Sequence, residues 1–405
     1  IKIIIPGIHR MHPEVSLSKR IKRHVIGRTR RYFIASPPGF ETLCAKELAS
    51  LPLGVQHVSV IPGGVEFKGR LDDCYLANLN VRTANRILLR LHAFKASNFK
   101  QLEKRLAEIH WELYLPHHSA LKIRATVKHC RLYHTGAIEK HFRESIANGL
   151  AHTAINDGDG PDPASPQQIF VRGIDDRFTV SLDSSGDNLY KRGLKKHAAT
   201  APLRETLAAA SLLLTGYSGK GPLVDPMCGA GTYSLEAALM AKKIPPGWFR
   251  EFAFMQWPAY RPKRYGYLKR QYQGHFVRPD KPLIFASDKD PLACRQLEQC
   301  TRQFGLSDTV SINNADFFEL VPRDFTDQPG LVTINPPYGR RMGTRQESTE
   351  TFQAICEKLA REYKGWKLIL IAPSKLLEKK VSFKLKTYPF SHGGLILKLM
   401  MGKIR

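Results

Sequence analysis

The stretch Leu331-Val332-Thr333-Ile334-Asn335-Pro336-Pro337-Tyr338-Gly339 decides how this chain is read. A short apolar run ends in two prolines, which is the pattern of a buried strand stopping at a rigid turn. Proline fixes φ and biases its predecessor toward extended geometry, so Asn335 and Pro336 do not continue a helix. A turn of this kind at the carboxyl end of a strand can hold a planar amino group. The Asn335 side-chain oxygen and the Pro336 carbonyl accept its two hydrogens, and Tyr338 stacks on the ring that carries it. Taken alone, the same residues also describe an ordinary strand-to-loop exit.

Upstream, Pro222-Leu223-Val224-Asp225-Pro226-Met227-Cys228-Gly229-Ala230-Gly231-Thr232 reads as a strand, a glycine turn and the start of a helix. Gly229 and Gly231 let the backbone turn tightly and approach a ligand without a side chain in the way. The loop is neither a Gly-Lys-Ser/Thr phosphate loop nor Gly-x-Gly-x-x-Gly, and by itself it is equally compatible with a nucleotide. Two further strands end in acids. Pro282–Asp288 places Asp288 to accept from both hydroxyls of a ribose, and Val310–Phe317 places Asp316 to accept from an adenine amino group, with Phe317 nearby. Each acid alone is also a common turn residue or cap. Ligands of open α/β sheets lie beyond the carboxyl ends of the strands, and all four motifs end strands. The tetrapeptide Asn335–Tyr338 resembles motif IV of amino-group methyltransferases. The Asp-Pro-x-Cys-Gly-x-Gly-Thr string has the form seen in S-adenosylmethionine (SAM) enzymes.

Composition narrows the class. The chain has 405 residues, enough for two or three domains with well-buried cores, and is 42% hydrophobic. Sixty-two Lys and Arg against 36 Asp and Glu give +26, so a polyanion is the expected partner. No apolar run reaches the ~18–20 residues that span a bilayer, and no long basic amphipathic helix suggests a membrane surface. The run Leu207 to Leu214 reads as a core helix. No secretory signal is visible, although the first residue is Ile1 rather than Met. The seven cysteines are scattered and form no Cys-x-x-Cys, which predicts reduced thiols, a cytoplasmic protein and no metal site.

Along the chain, residues 1–31 form a basic arm with nine Lys/Arg against one Glu, read as a mobile RNA-contacting extension or a solvated tail. Residues 32–199 mix strands and helices without a catalytic constellation; residues 200–405 alternate strand and helix as a parallel doubly wound sheet does. A closing hairpin, Phe383–Pro389 with Gly394–Met401, adds an antiparallel edge. The insertion Lys242–Lys281 carries Trp248, Phe252, Phe254, Trp257 and Tyr260 among Arg and Lys. That pattern suits stacking on unpaired bases, or else a local apolar mini-core.

With these residues in view, the chain resembles the bacterial THUMP-domain methyltransferases that act on the guanine N2 amino group of large-subunit (23S) ribosomal RNA. The likeness rests on Gly63-Gly64-Val65-Glu66-Phe67, on Asn78 through Leu88, on Leu132-Tyr133-His134-Thr135, and on Tyr190-Lys191-Arg192-Gly193. It continues through Ala201-Pro202-Leu203-Arg204-Glu205-Thr206-Leu207-Ala208, the motifs above and Pro246-Gly247-Trp248. The resemblance implies an α+β ferredoxin-like plus THUMP RNA-binding module, followed by an α/β Rossmann-like SAM methyltransferase domain. It implies a cofactor site on Asp225, Pro226, Gly229, Gly231, Thr232, Asp288, Asp316 and Asn335, with Pro202 and Glu205 in the segment covering the methionine end. Asn335, Pro336, Pro337 and Tyr338 carry the catalytic expectation. Arg340, Arg341, Lys128, Arg131, Arg30 and Arg31 carry the expectation of RNA contact. Leu194, Ala230 and Arg340 depart from the family pattern, the last bearing on the target loop. The same turn also accommodates adenine N6 methylation of RNA or DNA, and a non-catalytic RNA-binding assembly factor is a third reading.

Overall fold

The computed structural model describes residues 16–117, 120–151, 166–195, 203–336, 345–372, 381, 383–392 and 395–405. Two seven-stranded sheets organise them. The first is built from β1 (Arg30–Ala35), β2 (Gln56–Ile61), β3 (Gly64–Gly69), β4 (Arg86–Lys95), β5 (Leu121–Lys128), β6 (Gln167–Ile174) and β7 (Arg177–Asp183), in the order β2-β3-β1-β4-β7-β6-β5. Only β5 and β6 pair in parallel. Antiparallel pairing of β4 with β7 makes the two α+β modules of the amino-terminal half one continuous surface. Helices α2 (Glu41–Ser50) and α3 (Leu71–Asn80) belong to the first module, and α4 (Phe99–Leu106) and α5 (Thr135–Ala151) to the second. Asn98 caps α4 by accepting from the Gln101 amide at 2.9 Å, which starts this helix three residues before the apolar pattern at Leu102.

The basic arm is not simply an extension. Residues 17–26 are helical, with α1 at Leu17–Ile21, and Ile21 and Val25 are 8% and 2% exposed. Apolar residues four apart fall on one helical face, and burying that face orders the arginines around it. Strand β1 then starts inside the arm, at Arg30.

The second sheet follows the alternation α6 (Glu205–Leu214), β8 (Leu223–Asp225), α7 (Thr232–Ala241), α8 (Pro262–Gln273), β9 (Ile284–Asp288), α9 (Pro291–Gln303), β10 (Val310–Asn314), β11 (Leu331–Ile334), α10 (Arg345–Glu362), β12 (Lys367–Ala372), β13 (Lys386–His392) and β14 (Leu395–Lys403). Its order is β10-β9-β8-β11-β12-β14-β13, parallel up to β12 and antiparallel through the last two strands. Strand β11 is buried at all four positions and β12 at five of six, which is why residues 368–372 read as an apolar run and β11 as one interrupted only by Thr333. From β8 the chain builds outward through β9 and β10, then returns to place β11 on the other side of β8. That reversal is the switch point where such sheets open a crevice. Among the described residues, no helix is long and apolar enough to cross a membrane.

The insertion 242–281 takes the mini-core reading and extends it. Phe252, Phe254, Trp257 and Tyr265 are buried in the core of the amino-terminal half, not in that of the sheet they interrupt. Phe254 lies 4.5 Å from Tyr75 of α3 between ring centroids, and Trp257 Nε1 donates to Gln167 Oε1 at 3.1 Å. Arg261 and Arg264 both reach Asp72, at 2.6 and 2.7 Å. Trp248 instead packs edge-on against Phe276 at the second core, with Lys269 Nζ 4.4 Å above its ring. The tryptophans are therefore packing residues, not a base-stacking platform. Phe254→Ala is expected to destabilise the protein by about 3–5 kcal/mol, as loss of a fully buried ring does. Chemical unfolding of the full chain measures it, and an unshifted transition would contradict the packing described here.

Candidate active site

A cavity of ≈ 410 Å³ opens at the carboxyl ends of β8, β9, β10 and β11. Small-ligand sites span roughly 300–1,000 Å³, so the volume admits one cofactor with little to spare. Asp225, Pro226, Gly229, Thr232, Asp288, Asp316 and Asn335 all line it. These residues come from separate stretches of the chain and meet because parallel strands end on the same side.

The turn after β8 is shaped by two glycines with positive φ, +48° at Gly229 and +68° at Gly231. Gly231 stands just outside the lining and opens α7 from the left-handed region. A Cβ there would come within 2.4 Å of Leu297 Cδ1 on α9, so its absence also permits close helix packing. Asp288 stiffens the loop from the next strand. Its Oδ2 accepts from the Gly229 amide at 2.8 Å and its Oδ1 from the Asp290 amide at 3.0 Å. A carboxylate has about four lone-pair sites, so capacity for further donors remains. Asp290 in turn caps α9, accepting from Leu292 N at 2.9 Å, with Pro291 in the first turn.

Asp225 is 1% exposed, and its Oδ2 accepts from both the amide (3.2 Å) and the hydroxyl (2.7 Å) of Ser234. Burial raises its pKa to about 6, against the opposing Ser234 and Thr333 hydrogen bonds. Its carboxylate is thus committed to holding α7 against β8. Asp316 follows β10 in a loop, and its Oδ1 accepts from Phe318 N at 3.0 Å. Both aromatics after it line the cavity: Phe317 is also part of a buried core, as expected beside Asp316, and Phe318 is 43% exposed. Glu205 lies outside the lining but is tied to it: Lys195 Nζ sits 3.2 Å from Glu205 Oε1 and 2.8 Å from Thr232 Oγ1.

Asn335 follows the last residue of β11. Its Oδ1 is buried and has no hydrogen-bond partner among the described residues. An unsatisfied buried acceptor costs roughly 1–3 kcal/mol, so one at the mouth of a cavity is a built-in receptor for a donor. Pro336 is buried beside it. Pro202, Pro337, Tyr338, Arg340 and Arg341 lie outside the described residues.

The basic residues expected to touch RNA are spread out. Lys128 and Arg131 are exposed at the end of β5, where Arg131 takes Asp176 as a partner at 3.7 Å. Arg30 and Arg31 stand on β1, four strand spacings away or roughly 19 Å across the sheet. Arg31 lies 3.6 Å from Glu66. Phe318, Cys228, Leu203 and Thr351 also line the cavity. Phe318 carried a weak signal as the second aromatic after Asp316; Thr351 carried none, because only the packing of α10 brings it there. Among the described residues, no group of three or more His, Cys, Asp or Glu is placed to hold a metal ion.

Residues 192–389 match the family described as RMKL-like, methyltransferase domain, and residues 31–88 match the RlmL ferredoxin-like domain. The chain carries an RMKL-like methyltransferase domain behind an RlmL ferredoxin-like domain. It is 29% identical over 371 residues to slr0064 of Synechocystis sp., named as a candidate RNA methyltransferase, covering 91% of this chain and 95% of that one. It is 32% identical over 389 residues to ribosomal RNA large subunit methyltransferase K/L of Pseudomonas aeruginosa, covering 91% of this chain but 52% of the relative. This methyltransferase therefore spans about half the length of its K/L relatives.

Among solved structures, SMU.472 complexed with SAH is 26% identical with a TM-score of 0.81, covering 93% of this chain and 99% of that one. A protein from Listeria monocytogenes, described as a predicted N6-adenine-specific DNA methylase, is 26% identical with a TM-score of 0.80, covering 93% and 96%.

Gly231→Ala is expected to destabilise this methyltransferase by about 1 kcal/mol or more, because alanine at that φ is strained. Adding Leu297→Ala should recover the steric part but not the backbone part. Unfolding of the single and double variants measures the coupling, and strict additivity would refute the contact.

Proposed function

We propose that this methyltransferase transfers a methyl group from SAM to the exocyclic N2 amino group of a guanine in large-subunit ribosomal RNA, in the cytoplasm. The observation that carries the reading is the orphaned Asn335 acceptor at the end of β11, facing the same cavity as Asp288 and Asp316. The residues fit SAM: Asp288 retains acceptor capacity for ribose hydroxyls, Asp316 for an adenine amino group, and Phe318 offers an apolar ring face beside them. When bound, SAM supplies an electrophilic methyl on a sulfonium.

What the chain itself does is align the acceptor. A ring-conjugated amine is a weak nucleophile because its lone pair is delocalised. Asn335 Oδ1 and the Pro336 carbonyl accept its hydrogens and favour the tetrahedral nitrogen of the transition state, and Tyr338 stacks on the base. Such positioning is worth up to ~7–11 kcal/mol in favourable intramolecular cases. The target base leaves its stack at a cost of roughly a few kcal/mol, offset by stacking and by phosphate contacts from Arg340 and Arg341.

The names of the K/L relatives and a charge of +26 support ribosomal RNA as the substrate. The name of the Listeria protein supports adenine N6 as a second reading, since the same pair of acceptors serves either amine.

Asn335→Ala should abolish methyl transfer and leave SAM and RNA binding within a few-fold, because its contact matters mainly in the transition state. The assay is transfer of labelled methyl to unmodified large-subunit rRNA with nucleoside analysis. N2-methylguanosine from the parent protein alone supports the proposal; N6-methyladenosine selects the second reading; no transfer despite SAM binding points to an assembly factor.

Asp288→Asn keeps a neutral acceptor in place and should weaken SAM binding by about tenfold or more, the cost of a charge-assisted hydrogen bond. Unchanged affinity by calorimetry would move the ribose contact elsewhere.

A further inference from the structure

Residues of the basic arm from Arg20 to Arg30 wall a second cavity, of ≈ 280 Å³. Arg20, His24, Arg28 and Arg30 form one side of it; His92 of β4, His110 and Tyr114 face them. Because Ile21 and Val25 anchor the helical segment in the core, these arginines are held in place rather than trailing in solvent.

The charge inside is unbalanced. Glu112 is taken by Arg20 at 2.5 Å and lies 3.6 Å from His110; Glu108 is taken by His92 at 3.3 Å and Arg105 at 2.8 Å. Arg28 and Arg30 form no ion pair among the described residues. Arg30 is half-buried with its guanidinium 5.4 Å from the centre of the Tyr114 ring, and its buried Nε has no acceptor. Burial and the positive charge of Arg28, Arg23, Arg20 and Arg30 hold His24 below its ordinary pKa. A buried guanidinium donor without an acceptor is costly unless a ligand supplies one. Forked guanidinium donors match phosphate oxygens.

We infer that this cavity is a phosphate-binding cleft, taking one phosphate group of the RNA substrate on Arg28 and Arg30. The inference rests on the RNA reading above and locates a contact in the amino-terminal half, far in sequence from the methylation motifs. It also separates the basic residues of the arm into two kinds. Arg28 and Arg30 are directed into a cavity, whereas Arg31 is engaged with Glu66.

The test uses the full chain and an unmodified large-subunit rRNA fragment, titrated across salt concentrations. Arg28→Glu, at an exposed position, and Arg30→Ala should each weaken RNA binding by about tenfold. Each should also lower the slope of log affinity against log salt by ~0.7–0.9 for a lost phosphate contact. SAM affinity should not change, and that measurement also reports that each variant is folded. If Arg30→Ala fails this check, Arg28→Glu alone carries the test. Short oligoribonucleotides with and without a 5′-phosphate separate the two sources of the group. Preference for the phosphorylated form identifies a terminal phosphate; equal binding, lost alike in Arg28→Glu, identifies a chain phosphodiester. RNA affinity and salt slope unchanged in Arg28→Glu would overturn the cleft while leaving the RNA reading intact. No RNA binding by the parent protein would overturn both.

Discussion

Glu236, on the helix that the glycine loop opens, is the buried charge around which the two halves are arranged. It is 1% exposed; its Oε1 accepts from Arg192 Nε at 2.8 Å, and its Oε2 lies 3.7 Å from Arg82 Nη1. Arg192 also donates to the carbonyls of Leu189 and Arg82, at 2.8 and 2.7 Å, and Arg82 donates to the Ile244 carbonyl at 2.6 Å. On the far side, Glu47 of α2 accepts from the Arg82 amide at 2.7 Å and from the Thr83 hydroxyl at 2.7 Å. Buried ion pairs of this kind contribute little net stability against desolvation, but losing one partner costs about 3–5 kcal/mol. Their consequence is geometric. The carboxylate of α7 and the guanidiniums of Arg82 and Arg192 meet in one relative placement of the halves, while Glu47 of α2 fixes the backbone at Arg82 and Thr83.

That placement is reinforced by shape. The insertion between α7 and β9 sends Phe254 and Trp257 into the amino-terminal core, and Gly247 N donates to Leu79 O at 2.9 Å. A side chain at Gly247 would meet Asn78 O at 2.8 Å, so glycine is what allows the two backbones to approach. A boundary drawn near residue 200 therefore separates the chain by sequence pattern, not by core. An amino-terminal fragment ending there would lack four of its own buried aromatic residues.

The cavity shows how binding and scaffold share residues. Asp225 is spent on Ser234 and keeps α7 on β8, whereas Asp288 braces the glycine loop and still faces the cavity. Cys228, which lines the cavity, has Cys294 as a neighbour. That contact lowers Cys294 to about 7 and raises Cys228, with burial adding to the latter. Among the described residues that line the cavity, Asn335 carries the unmet buried acceptor.

Much of this was legible in the residues themselves. Apolar runs located the strands because a parallel sheet buried on both faces favours near-continuous apolar residues, as at Leu331–Ile334, where only Thr333 is polar. Proline and glycine located the turns because they restrict or extend backbone freedom at Asn335–Pro336 and Gly229–Gly231. Local pattern carries no information about which distant surface a side chain meets. It therefore did not bring Thr351 to the cavity, nor send the aromatic insertion into the other half's core. Charge followed the same division. A net +26 is a property of composition, but which arginines are neutralised and which stand unpaired was decided only when the arm folded against β4, because pairing depends on distances the linear chain does not contain.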